Sequence, residues 1–118
     1  NLNKINISNK VVILEKGVFS GCENLNEITI PYGVINIGDG AFEECKSLRE
    51  VSIPDSVASI GDYAFWNCQS LNQITVWSNV TSIGYSAFDG CKNLTIRAFK
   101  GSYAERYALE NEIPFEEI

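Results

Sequence analysis

The sequence predicts an α/β fold: a right-handed solenoid of 23-residue repeats with short parallel strands, closed at its C-terminal end by a helix. Two observations predict the repeat. The four cysteines recur every 23 residues, and a phenylalanine three positions before and a leucine three positions after each of them keep the same spacing. The positions are Phe19, Cys22 and Leu25; Phe42, Cys45 and Leu48; Phe65, Cys68 and Leu71; and Phe88, Cys91 and Leu94. A fixed period of this length is the signature of stacked repeats.

The length and composition fit one domain over 1–118. With 118 residues and 45% hydrophobic content, the chain is long enough to bury a core and is soluble in composition. Residues 31–53 and 54–76 are identical at ten of 23 positions, and the pattern continues on both sides. We therefore expect repeats over about 2–99 and a cap over about 100–118.

The first element of each repeat is predicted to be a strand. Residues 48–53 end in alternating apolar and polar residues, and Pro54, which has no N–H to donate to a neighbouring strand, stops them. Equivalent segments predict parallel strands near 26–30, 49–53 and 72–76. Stacking of the repeats should bring their central residues into register, namely Ile28, Val51 and Ile74.

The remainder of each repeat is predicted to hold a second extended piece, a turn and a short helix. Val57 and Ile60 favour extended backbone, and Gly61 favours a tight turn in which glycine tolerates unusual backbone angles. Apolar residues within 64–71 recur at helical spacing. We therefore expect one or two turns of α- or 3₁₀-helix to close the repeat.

A different element is predicted at the C-terminal end. After Cys91 the repeat pattern is two residues short, which indicates that the repeats end there. Ser102 followed by Glu105 is a capping-box signature, and it predicts a helix that reaches about Asn111. Residues 113–115 then offer a last extended segment. Such a terminal element would cover the open end of the core.

The repeat resembles one family in particular. Phe-x-x-Cys-x-x-Leu-x-x-Ile-x-Ile-Pro, followed by Val-x-x-Ile-Gly-x-x-Ala-Phe, is similar to the BspA-like, or treponemal-type, leucine-rich repeat. The resemblance covers roughly 2–99, and the tail at 101–108 is similar to the end of many such arrays. It implies a leucine-rich-repeat-type solenoid in a secreted or cell-surface bacterial protein, with adhesion to host or matrix proteins as the implied role. It implies no catalytic, cofactor-binding or metal-binding residues.

The charge and hydropathy of the chain argue against two kinds of partner. The net charge of −6 and the absence of any clustered Lys and Arg argue against nucleic acid, since phosphate binding depends on such clusters. No apolar run approaches the roughly 18 to 20 residues of a membrane span, so we expect no membrane insertion. The extracellular or cell-surface location is implied by the family resemblance alone.

The side-chain chemistry argues against an enzyme. Without histidine, neither a Ser/His/Asp nor a Cys/His arrangement can form within this chain. The cysteines lack the paired spacing of zinc sites, and the aspartates lack the spacing of calcium loops. We therefore expect no cofactor and no metal. The four cysteines are predicted to be reduced and buried, because equivalent side chains of stacked repeats point the same way even though their Cα atoms, about 5 Å apart, are within disulfide range.

The paired carboxylates are interpreted structurally. Asp39 and Asp62 each lie two residues before an Ala-Phe pair, and we predict that each caps the helical turn that follows it. Glu43 and Glu44 are interpreted as a solvated face. A glycosidase-like pair of carboxylates is the less favoured alternative.

Candidate binding residues are those at exposed positions, because packing constrains the core while outward positions are free to contact a partner. Trp77 takes the place of prolines in sister repeats, and Trp66 takes the place of acidic residues. Tryptophan is enriched in binding hot spots, although Trp77 folding over a neighbouring coil is the alternative. The predicted contact residues are Glu27, Thr29, Glu50, Ser52, Trp66, Gln73, Thr75 and Trp77.

These features favour a secreted or cell-surface adhesion module that binds a protein or glycan. The alternatives are a structural spacer and an accessory repeat domain of a larger surface protein or enzyme. The segment from Leu2 to Ile7 matches a repeat's strand with nothing predicted to cover it. We therefore expect either that the chain is a piece of a longer protein or that chains oligomerise through this end.

Overall fold

A computed structural model describes residues 4–118. In chain order its elements are β1 (Lys4–Ile5), β2 (Ile13–Leu14), β3 (Glu27–Thr29), β4 (Asn36–Ile37), β5 (Glu50–Ser52), β6 (Ser59–Ile60), β7 (Gln73–Thr75), β8 (Ser82–Ile83), β9 (Thr95–Ala98), α1 (Tyr103–Glu110) and β10 (Phe115–Glu117). Leu2, where the predicted repeats begin, lies outside the described residues. Within 4–118 no helix has the length and hydrophobicity of a membrane span.

The strands form two parallel sheets, because each repeat contributes one strand to each sheet. Sheet A has the order β1-β3-β5-β7-β9-β10, and sheet B has the order β2-β4-β6-β8. In sheet A, Ile28 pairs with Val51 and Val51 with Ile74. The predicted strands and their register are confirmed. Since alternate residues of a strand face opposite sides, these three central side chains are buried.

Sheet B confirms the second extended piece of each repeat. Its strands end at Leu14, Ile37, Ile60 and Ile83, all of which are buried. Asn36 pairs with Ser59 and Ile37 with Ile60, again in register. The two sheets and the side chains between them therefore build one apolar column.

The third side of each repeat is a series of turns, and the predicted short helix is wrong. The backbone N–H groups of Gly40, Phe42 and Glu44 each donate to a carbonyl oxygen of the next repeat, within 62–66, at N–O distances of 2.8 Å. An α-helix needs each of these N–H groups to bond within its own segment, four residues back. The alternate N–H groups of Ala41 and Glu43 bond three residues back, so isolated turns form instead of a continuous helix, and the apolar side chains still face the core.

The backbone on this turn side is left-handed at two positions in each repeat. The first position has φ of 63°, 61°, 58° and 53° at Gly17, Gly40, Tyr63 and Ser86, and the second falls at Gly21, Glu44, Asn67 and Gly90. Gly61, predicted to adopt unusual backbone angles, is not among them. Glycine is required at this position because there is no room for a side chain: a Cβ atom at Gly61 would lie 2.7 Å from the backbone nitrogen of Asp39.

Asp39 and Asp62 do not cap a helical turn of their own repeat, so that prediction is wrong. A carboxylate oxygen of Asp39 accepts the backbone N–H of Asp62 at 2.9 Å, and one of Asp62 accepts the N–H of Tyr85 at 2.8 Å. Each carboxylate therefore binds the turn of the following repeat. The aspartates join repeats instead of starting helices.

The core contains a stack of phenylalanine rings that ends at the helix. Successive rings of Phe19, Phe42, Phe65 and Phe88 have centroids 5.2 to 5.3 Å apart. The predicted helix is confirmed as α1. Ser102 Oγ accepts the N–H of Glu105 at 3.2 Å, and the ring of Tyr107 lies 6.1 Å from that of Phe88. Helix α1 therefore covers the C-terminal end of the column.

Candidate functional site on the outer face of sheet A

The outer face of sheet A forms a shallow groove about 450 Å³ in volume. The first and third residues of β3, β5 and β7 point outward because the central residue of each strand points into the core. Seven of the eight predicted contact residues line this groove, namely Glu27, Thr29, Glu50, Ser52, Gln73, Thr75 and Trp77. The structure therefore brings them together on one surface.

The groove presents two columns of polar side chains with different lengths. Glu27 pairs with Glu50 and Glu50 with Gln73, so the longer side chains follow one another at the strand spacing. The second column consists of the short hydroxyl side chains of Thr29, Ser52 and Thr75. Carboxylate, amide and hydroxyl groups give this surface both donors and acceptors of hydrogen bonds.

Trp77 lies at one edge of the groove and is attached to the preceding repeat. Its indole N–H donates to the carbonyl oxygen of Ile53 at 2.7 Å, and its ring lies 6.1 Å from that of Phe99. The side chain is half-buried. Trp77 therefore both packs over the neighbouring coil and lines the groove, so the two interpretations of this residue do not exclude each other.

The C-terminal end of the groove is bounded by a charged pair that the repeat pattern did not predict. Arg97 donates to a carboxylate oxygen of Glu116 at 2.8 Å, and the same oxygen accepts the side-chain amide of Gln73 at 3.3 Å. Arg97 pairs with Thr75 in the sheet, so it continues the hydroxyl column. The shortened spacing after Cys91 concealed this register, and Glu116 belongs to a strand outside the repeats.

Trp66, the eighth predicted contact residue, lies on the turn side and not in the groove. Its ring packs edge-on against Tyr63, with centroids 6.4 Å apart, and Tyr63 packs edge-on against Tyr85 at 5.7 Å. We call Tyr63, Trp66 and Tyr85 the aromatic cluster. Tyr63 is 40% exposed and Tyr85 71% exposed, whereas Trp66 is half-buried.

The cysteines are free thiols, but only two of the four are buried. Cys45 and Cys68 are buried, whereas Cys22 and Cys91 are half-buried, which corrects the prediction for those two. The thiol of Cys45 donates to the carbonyl oxygen of Phe19 at 3.1 Å, and burial raises the pKa of this thiol to about 11. Cys22 and Cys91 are the first and last of the four stacked cysteines, so each has a cysteine neighbour on one side only.

The N-terminal end of the column differs from the capped C-terminal end. In the described part of the chain, a mostly apolar hollow of about 690 Å³ lies between β1 and β2 and the turns that follow. Val12, Ile13 and Val18 line it and are each nearly half exposed, at 48%, 46% and 46%. The two ends of the solenoid are therefore chemically unlike.

Acidic and thiol groups do not gather into a metal-binding arrangement in the part of the chain that the structure describes. Within residues 4–118, no group of three or more His, Cys, Asp or Glu side chains is placed to hold an ion. The groove and the aromatic cluster are the candidate binding surfaces.

Comparison with protein families gives a match over nearly the whole chain. The model of the BspA type leucine rich repeat region matches six copies across residues 1–113. A comparison with curated proteins gave no match.

Solved structures similar to this chain come from several bacteria. A leucine rich cell surface protein from Faecalibacterium prausnitzii is 42% identical over 71% of this chain, with a TM-score of 0.69. A leucine-rich repeat protein from Bacteroides ovatus is 36% identical over 91% of the chain, with a TM-score of 0.79. A Treponema pallidum leucine rich repeat protein is 27% identical over 74%, with a TM-score of 0.59. The chain spans 22%, 28% and 52% of those three chains, respectively.

Proposed function

The chain belongs to the BspA-type leucine-rich repeat family, and from that membership we propose that it is an extracellular binding module that engages a protein ligand through the groove of sheet A. One observation carries the proposal: six outward side chains from three adjacent strands, together with Trp77, line a single groove. Relatedness to a leucine rich cell surface protein at 42% identity supports the extracellular setting. Together these two observations support the proposed adhesion role.

The groove suits a protein ligand because of its chemistry and its rigidity. Its strands are fixed by parallel pairing on both sides, so the polar groups are held in place before a ligand arrives. Trp77 adds a large aromatic surface at the edge, and tryptophan is among the residues that contribute most to binding energy. A protein segment that binds across the strands would contact carboxylate, hydroxyl and indole groups of the groove.

The proposal is tested by filling the groove without disturbing the fold. Ser52→Arg places a long side chain in the centre of the groove, at an exposed strand position. We expect it to weaken binding to immobilised host cells or matrix proteins by about tenfold or more, a loss of roughly 1.4 kcal/mol. Ser82→Arg, the same change at an exposed position of β8 in sheet B, is the matched control.

Surface plasmon resonance with the two variants separates the outcomes. Both should keep their melting temperature, since surface substitutions shift stability by about 0.5 kcal/mol or less. If Ser52→Arg and Ser82→Arg bind equally well, the ligand contacts another surface. If the unmodified chain binds no host cell or matrix protein, a spacer role becomes the better explanation.

A further inference from the structure

The aromatic cluster occupies positions where the neighbouring repeats have no aromatic residue. Tyr63, Trp66 and Tyr85 align with Gly40, Glu43 and Asp62 of the repeat before each of them. The same turn geometry is built in the repeat of 31–53 without any of the three rings. The fold of the turn side therefore does not depend on them.

Tyr63 is also held in a backbone conformation that disfavours it. Its φ is 58°, in the left-handed region, and the equivalent residues Gly17 and Gly40 are glycines. A side chain with a Cβ costs free energy in this region, whereas glycine does not. Strained residues of this kind concentrate at functional sites, which makes the exposed ring of Tyr63 a candidate contact.

Carboxylates occupy the positions of the cluster in adjacent repeats. Asp62 contacts it directly, since its carboxylate accepts the backbone N–H of Tyr85 at 2.8 Å. Glu43 and Asp89 occupy the position of Trp66 in the repeats on either side. Among the twelve residues at the three cluster positions in the four repeats, Lys16 is the only basic one. Ring faces carry negative charge density, so carboxylates and rings together attract a cation.

We propose that the aromatic cluster binds a cationic side chain of a partner protein, specifically an arginine guanidinium that stacks on the exposed ring of Tyr85, which is linked to Trp66 through the ring of Tyr63. Arginine is favoured because its planar, weakly hydrated group stacks on aromatic rings more readily than the ammonium of lysine. The carboxylate of Asp62, which accepts the backbone N–H of Tyr85, would pair with the guanidinium. This surface is separate from the groove, so it would be a second contact on the turn side.

The test uses the tryptophan side chains as reporters. The indole N–H groups of Trp66 and Trp77 give two separate signals in a ¹H–¹⁵N spectrum of the full chain. Titration to about 10 mM with the capped peptide Gly-Arg-Gly-Arg-Gly should move the Trp66 signal and leave the Trp77 signal in place, since weak single contacts have dissociation constants near the millimolar range. The same peptide with glutamate in place of arginine should move neither.

Tyr85→Asp separates stacking on the ring from attraction by charge. It removes the ring, adds a negative charge, and uses the residue that Asp39 and Asp62 already place at this position. We expect binding of the arginine peptide about two- to fivefold weaker, as the loss of a cation–π contact implies. Tyr32→Asp is the matched control, because Tyr32 is 76% exposed and its sister residue is Asp55. It should leave the affinity unchanged.

Tyr63→Gly is the second variant, and it restores the glycine of two sister repeats at the left-handed position. It should weaken binding of the peptide while the fold is kept.

The proposal would be overturned in favour of bulk charge if the arginine peptide bound Tyr85→Asp as tightly as, or more tightly than, it binds the unmodified chain. The proposal would also be overturned if the Trp66 signal moved with neutral cellotetraose and not with the arginine peptide, or if neither compound moved it. The groove proposal is unaffected by these outcomes, because Trp77 reports on it separately.

Discussion

At Gly38, Gly61 and Gly84 the space for a side chain is occupied by the preceding repeat. A Cβ atom would lie 2.5 Å from the carbonyl oxygen of Leu14 at Gly38, and 2.7 Å from the backbone nitrogen of Asp39 at Gly61. Gly21 differs, since its φ is 74° and nothing lies within 4 Å of the Cβ position. Glycines at the two positions of the repeat thus serve different purposes: Gly61 allows close approach, and Gly21 allows a left-handed backbone.

Gly61→Ala should therefore be much more costly than Gly21→Ala. We expect the free energy of unfolding to fall by about 3 kcal/mol for Gly61→Ala, because backbone atoms of the preceding repeat must move. Gly21→Ala should cost about 1 kcal/mol, the strain of a left-handed alanine. Urea unfolding of both variants measures the difference. Equal losses would show that backbone conformation, and not space, determines the need for glycine at Gly61.

Among the elements, helix α1 contacts the last repeat at two places, in sheet B and at the phenylalanine stack. The hydroxyl oxygen of Tyr103 accepts the backbone N–H of Ile83 at 3.1 Å. Ile83 belongs to β8, the last strand of sheet B, so no further strand accepts this N–H. Tyr107 covers the last phenylalanine ring. The helix thus supplies one polar and one apolar contact that another repeat would otherwise provide.

Tyr103→Phe removes the polar contact and keeps the ring. We expect a loss of about 1 to 2 kcal/mol in the free energy of unfolding, because the N–H of Ile83 loses its partner in a half-buried position. Tyr32→Phe, at a residue 76% exposed, is the control and should change stability little. An equal melting temperature for the two variants would mean that water replaces the Tyr103 hydroxyl at no cost.

Strands and cap could be predicted from the sequence because each has a local signal. Alternating residues and Pro54 mark the strand, and Ser102 with Glu105 marks the helix. The turn side could not be predicted, because apolar residues within 64–71 have helical spacing, while the N–H of Phe65 bonds to Ala87 of the next repeat and interrupts the bonds made three residues back by Ala64 and Cys68. The two columns of the groove could be predicted from the alternation of side chains along each strand. The position of Glu116 could not be predicted, since no repeat pattern places β10 beside β9.

At the largest scale, the described residues form a column in which each repeat contacts its neighbours, and the two ends of this column differ. At the C-terminal end, α1 and β10 cover the core and extend sheet A. At the N-terminal end of the described residues, Ile13 and Val18 are exposed around a hollow. In repeat proteins stability is a sum of repeat and interface terms, so local stability should vary along the column.

Hydrogen exchange should show this gradient. We expect the amides of Val51 and Ile74, with a paired strand on either side, to exchange slowest. Amides of β2 should exchange at least about tenfold faster, because the first repeats can open without the rest of the column. Native-state exchange followed by NMR or mass spectrometry gives these rates. Uniform protection from β2 to β9 would mean instead that the column opens only as a whole.

Hydrogen bonding between repeats on all three sides has a mechanical consequence. These bonds run along the axis of the column, so a force that pulls the two chain ends apart loads one interface at a time and peels coils off in sequence. Each detached coil of 23 residues releases up to about 80 Å of extended chain. In the proposed binding role, such a column would lengthen in steps and dissipate part of the load on the contact with the ligand.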